Sequence, residues 1–201
     1  MPLLPRRSFL GSSLGGLAAV LSVGSDLFGQ DAAAKPESVP PAAAPLGLDT
    51  LFLTWQKDPT TTMTVQWVGP ETSADQSIQY ATLETPMWQI GKSLLKPFTN
   101  TNLKVHRSEL TGLRPGTEYQ FQVGGMGPTY RFRTMPAKAT NTIQFVSGGD
   151  SGVDINAVAT NILAAKQEPY FALIAGDLAY DNGKTPERFI KFLQNYHTNM
   201  I

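Results

Sequence analysis

Asp150 and Asp177 each stand where an apolar run meets a glycine-rich turn, in Gly148-Gly149-Asp150-Ser151-Gly152 and Gly176-Asp177-Leu178-Ala179-Tyr180. The two carboxylates are 27 residues apart, the length of a compact β-α-β unit. Its right-handed crossover sets the two strands parallel, side by side or one strand apart. Adjacent strands lie about 4.8 Å apart, and paired ions in hydrolytic metal sites about 3.5–4 Å apart. Carboxylates at neighbouring strand ends can therefore share two ions, one carboxylate bridging. Open α/β sheets bind ligands at this carboxyl edge. Tyr180, three residues past Asp177, can fold back over the same point. A phenol has an ordinary pKa near 10, so as a ligand it needs a strongly Lewis-acidic ion, and ferric iron suits it better than Zn²⁺ or Mg²⁺. The plainer alternative is that both aspartates cap β-to-α turns and Tyr180 packs as a loop aromatic.

The elements that must position these groups read as follows. Ile143-Gln144-Phe145-Val146 and Phe171-Ala172-Leu173-Ile174-Ala175 are apolar enough for parallel strands covered on both faces. Between them, Asp154 can cap a helix carrying Ala157, Val158, Ile162 and Leu163. A second helix is expected from Thr185 as cap and Pro186 as first residue, with Phe189, Ile190, Phe192 and Leu193 as its apolar side. Two parallel strands do not make a covered sheet, so this β-α-β-α segment is expected to be the front of a longer α/β domain.

Residues before it look all-β. Met63 to Val68 alternates apolar and polar, as do Tyr119, Phe121 and Val123 and the run from Thr129 to Thr134. Leu113-Arg114-Pro115-Gly116 is a turn. Further upstream, Arg6-Arg7-Ser8-Phe9-Leu10 is a twin-arginine export motif. The uncharged stretch behind it is too short and too rich in Gly and Ser to be a stable membrane span. Ala32-Ala33-Ala34 is a candidate cleavage region, followed by a Pro- and Ala-rich linker. The expected layout is a signal at 1–34, a linker at 35–46, a sandwich at 47–136 and the α/β segment at 141–201. Delivery to the periplasm or the extracellular space follows from the signal.

Sixteen Lys and Arg balance 16 Asp and Glu, so no basic surface recommends nucleic acid as a partner. There is no cysteine. Stability must come from packing without disulfides, and any metal must be held by oxygen and nitrogen. Ser151 lacks a paired base and is read as a turn residue rather than a nucleophile. His106 is expected on a strand surface and His197 as a cation at a helix C-terminus. Trp55 and Trp67 fit a sandwich core better than a carbohydrate platform with Trp88.

The Leu-x-Gly-Leu-x-Pro-Gly-Thr-x-Tyr turn and the early Trp resemble a fibronectin type III sandwich. Gly-Asp-x-Gly followed by Gly-Asp-x-x-Tyr behind such a domain resembles the purple acid phosphatases, within the calcineurin-like metallophosphoesterases. That resemblance implies hydrolysis of phosphate monoesters at a binuclear centre of Fe(III) with divalent Fe, Zn or Mn. It implies Asp150 on the ferric ion, Asp177 bridging and Tyr180 as phenolate ligand. The family's Gly-Asn-His and later His motifs have no counterpart here, so three of seven ligands are present and turnover by this chain alone is not expected. The competing expectation is a secreted fibronectin-like binding module whose α/β segment is vestigial.

Overall fold

The computed structural model describes residues 45–200 apart from 73, 126, 140 and 141. The export motif, the cleavage region and nearly all of the linker lie outside the described residues. A short 3-10 turn at Pro45–Thr50 leads into two four-stranded antiparallel sheets. One runs in the order β1 (Phe52–Thr54), β2 (Met63–Gly69), β6 (Lys104–Leu110), β5 (Ser93–Pro97). The other runs β4 (Gln89–Gly91), β3 (Ile78–Thr82), β7 (Glu118–Val123), β8 (Tyr130–Arg133).

Alternation fills the space between the sheets. Val65 and Trp67 of β2 meet Ile78 and Tyr80 of β3, Tyr119, Phe121 and Val123 of β7, and Phe132 of β8. The turn before β7 is locked by its tyrosine: the Arg114 backbone N–H donates to the Tyr119 hydroxyl at 2.8 Å, the corner that closes many immunoglobulin-like sandwiches. His106 is not on the surface as its flanking residues suggested. It is fully buried on β6, stacked on Trp67 with ring centroids 4.9 Å apart, and its Nε2 lies 3.1 Å from the Pro70 carbonyl oxygen. Burial lowers its pKa, against smaller opposing effects from Pro70, Gly69 and Glu71. Of the tryptophans, Trp67 is core, Trp55 packs edge-on to Phe171 at 5.5 Å, and Trp88 is exposed.

β2 is buried on both faces, because its outward residues face a second core. Val68 there joins Phe52, Phe98 and Val105 of the sandwich to Ile174, Leu178, Phe192 and Leu193 of the following segment. That segment is β9 (Val146–Gly149), α1 (Ile155–Ala165), β10 (Ala172–Ala175) and α2 (Pro186–Met200). β9 and β10 pair in parallel, Gly149 opposite Ala175. Asp154 caps α1 as expected, accepting from the backbone N–H groups of Asn156 and Ala157 at 3.0 and 2.9 Å. α2 begins at Pro186, but the Thr185 hydroxyl turns back to donate to the Asp181 carbonyl at 2.9 Å.

Three further expectations are corrected. The first strand of the segment starts at Val146, three residues later than its apolar run suggests, leaving Phe145 51% exposed and stacked on Phe171. β10 is covered on one face only: Ile174 enters the second core while Leu173, on the opposite face, is 54% exposed. His197 is not a solvated helix-end cation, because its ring lies edge-on to Tyr130 at 5.8 Å and burial lowers its pKa against opposing effects from Leu51 and Asp49. Among the described residues no helix is long and apolar enough to cross a membrane.

Candidate metal centre

The parallel register of β9 and β10 brings the two aspartate turns to the same edge. Asp150 follows β9 directly, and Asp177 lies two residues past the end of β10. Backbone hydrogen bonds then join the turns beyond the last strand pair. Asp150 N–H donates to Ala175 O at 3.2 Å, Ser151 N–H to Asp177 O at 3.0 Å, and Gly152 N–H to Leu178 O at 2.9 Å. One carboxylate oxygen of Asp150, Oδ1, accepts from the Asp177 backbone N–H at 3.3 Å. The turns form one ledge, with both carboxylates exposed on it.

Gly176 makes this approach possible. Its φ is +71°, in the left-handed region, and a Cβ placed on it would collide with Oδ1 of Asp150. Asp150 and Tyr180 also take left-handed conformations, with φ of +50° and +53°. Positive φ is uncommon outside glycine, and for a bulky residue such as tyrosine it is an outlier. Such outliers gather at functional sites, where the surroundings over-determine the backbone.

Tyr180 is 41% exposed and its phenol reaches the carboxylates. Local desolvation first, then the closeness of the Asp150 carboxylate and the negative charges of Asp150 and Asp177, hold its pKa above the ordinary value. Without a cation the phenol keeps its proton. A bound cation inverts that balance, since its own charge dominates the local field. All three groups are hard oxygen donors, the set that ferric iron takes in preference to softer ions. The only partner of Asp150 among side-chain hydrogen bonds of the described residues is the long one from Asp177. The donors present therefore fit such an ion, as part of its coordination.

Neither histidine joins them. His106 lies in the sandwich core and His197 against its end. Among the described residues no three His, Cys, Asp or Glu side chains converge on a point. Ser151 is held by its backbone, and the Tyr196 phenol of α2 lies near it; burial raises the Tyr196 pKa and the neighbouring Ser151 lowers it. A cavity of about 890 Å³ opens between β1, β8, β10 and α2, lined by Trp55, Phe132, Phe171 and Phe192 among others. It touches none of the three candidate ligands and is mainly apolar.

What sequence reasoning missed is the grip of α2 on the ledge. Arg188 donates from Nε to the Ala179 carbonyl at 3.0 Å, and Asn100, on the β5–β6 connection, donates to the Gly183 carbonyl at 3.3 Å. Neither contact carries a local sequence signal: one depends on how α2 folds back on the turn before it, the other on how the sandwich meets that turn.

Comparison with known proteins adds an independent view. The family description "Purple acid Phosphatase, N-terminal domain" matches residues 48–134. Purple acid phosphatase 21 of Arabidopsis thaliana is 32% identical over 83 residues, 41% of this chain and 18% of that protein. Purple acid phosphatase 15 of the same plant is 28% identical over 128 residues, 55% of this chain and 24% of that protein. The chain thus spans no more than about a quarter of the length of these relatives. Among solved structures, the short sensor-domain form of the anti-sigma factor RsgI4 in Pseudobacteroides cellulosolvens aligns with 43% of this chain and 96% of its own at 16% identity, with a TM-score of 0.29.

Proposed function

We propose, since residues 48–134 match the purple acid phosphatase N-terminal domain family, that the chain belongs to an exported phosphatase that hydrolyses phosphate monoesters at a binuclear metal centre. In this reading residues 1–34 are a twin-arginine signal, 35–46 a linker, 47–136 the fibronectin-like domain and 141–201 the start of the metallophosphoesterase domain. The observation that carries it is the convergence of Asp150, Asp177 and Tyr180 on one hydrogen-bonded ledge directly behind that domain.

Asp150 would hold a ferric ion, Asp177 would bridge to a divalent iron, zinc or manganese ion, and Tyr180 would supply a phenolate. When bound, the ion pair provides the charge that activates water and stabilises the transferring phosphoryl group. The chain's own residues hold and orient. The Asp177 N–H fixes the Asp150 carboxylate, the three loop-to-loop hydrogen bonds set the spacing of the aspartates, and the Tyr180 phenol stands close enough to both carboxylates to feel their charge. Ser151 has no base beside it, so no covalent serine intermediate is invoked. Further ligands are needed for turnover, and residues 45–200 alone are expected to be inactive.

The test is Asp177→Asn in the protein expressed from its complete gene, assayed on a phosphate monoester. Loss of activity should exceed the roughly 10–100-fold seen when only a ligand's supporting group is changed. Unchanged activity with full metal content would remove Asp177 from the bridge.

A further inference from the structure

Tyr180 holds a backbone conformation that tyrosine adopts rarely, with φ of +53°, so something must hold the peptide on its N-terminal side. That peptide is planar and contains the Ala179 carbonyl and the Tyr180 nitrogen. Its oxygen accepts the Arg188 Nε–H at 3.0 Å. Ala179 itself is buried, so the carbonyl has little water to turn to. From Arg188, steps of four along α2 lead to buried Phe192 and then to Tyr196, beside Ser151. Residues four apart form one ridge of a helix, and this ridge holds the Asp177 turn through Arg188 while its far end lies near the Asp150 turn.

We propose that Arg188 is a positioning residue for Tyr180: by fixing the Ala179–Tyr180 peptide it keeps the phenol aimed at Asp150 and Asp177. This rests on Tyr180 being the metal ligand proposed above. The hydrogen bond, not the positive charge, carries the role, since the contact is to a neutral carbonyl.

Two substitutions separate these contributions. Gln places an N–H the same number of bonds from Cα as Arg Nε, without charge, whereas Met places a methyl group there; both are good helix formers. The protein expressed from its complete gene is loaded with ferric iron. Iron affinity and visible phenolate-to-iron absorption are measured, and amide hydrogen exchange is followed at Ser151, Gly152 and, as a control, Phe121. Arg188→Met is expected to weaken iron binding by roughly 10-fold, to lower the absorption per bound iron and to speed exchange at Ser151 and Gly152 but not at Phe121. Arg188→Gln should stay close to the unsubstituted protein. Normal absorption and affinity in Arg188→Met, or an equal defect in Arg188→Gln, overturns the positioning role alone. Absence of the absorption band from the unsubstituted, iron-bound protein instead removes Tyr180 as a ligand, and the positioning role falls with it.

Discussion

Gly176 shows how little freedom the ledge has at the level of single residues. Its left-handed φ already disfavours a side chain, and the space a Cβ would take is filled by the Asp150 carboxylate. Gly176→Ala should therefore cost about 1–2 kcal/mol from the backbone conformation alone. It should also push Asp150 off the Asp177 N–H. Chemical denaturation reads the first effect and metal affinity the second. A variant with unchanged stability and unchanged iron binding would mean that the two turns do not approach as described. The placement of the two aspartates at one sheet edge was legible in the sequence, because each follows an apolar run at a spacing that one crossover helix explains. Arg188 and Asn100 were not legible, because a side chain reaching a backbone carbonyl elsewhere leaves no pattern along the chain.

Among the elements, β7 and β8 could be read from alternation because one face meets the core and the other meets water. β4 and β5 could not: Ile90 and Leu94 are exposed and Gly91 and Pro97 interrupt them, so their pairing with β3 and β6 is set by the sheets rather than by local pattern. β6 hid its character differently. His106 reads as a surface residue between Val105 and Arg107, yet it replaces an apolar group beneath Trp67. A histidine whose folded pKa is depressed binds fewer protons in the folded state than in the unfolded state. Stability is fully present above the ordinary imidazole pKa of about 6.5 and declines as pH falls below it toward the folded value. His197 on α2 acts in the same direction. The denaturant midpoint should thus fall on going from neutral to mildly acidic pH, and His106→Phe, which keeps the stack, should flatten that slope. An unaltered slope in the variant would show that His106 takes up its proton equally in the folded and unfolded states.

Across the whole described fold, the outer face of the β1-β2-β6-β5 sheet is a wall of the second core, so the sandwich is a structural part of the candidate centre. Val68 and Phe52 meet α2, Gln194 donates to Asp49 at 2.6 Å, and Asn100 reaches the turn after Tyr180. α2 holds the Asp177 turn through Arg188, with Tyr196 near Ser151. Phe192, buried between them, should be the keystone. Truncation of a core phenylalanine costs about 3–5 kcal/mol, and here Phe192→Ala should release the ledge before the sandwich. Amide exchange should rise at Ser151 and Gly152 while Trp67 stays protected from solvent quenching. Simultaneous loss of both would show a single cooperative unit instead. The β-α-β-α order and the parallel pairing follow from residues near in sequence, whereas this shared wall depends on contacts more than a hundred residues apart.

Tyr180 offers the sharpest check on the proposal that this ledge is part of an iron-containing phosphatase centre. The protein expressed from its complete gene and loaded with ferric iron should absorb in the visible through a phenolate-to-iron transition. Tyr180→Phe should abolish that band while iron remains bound. A band that survives the substitution, or iron-bound protein that never shows one, would contradict the account.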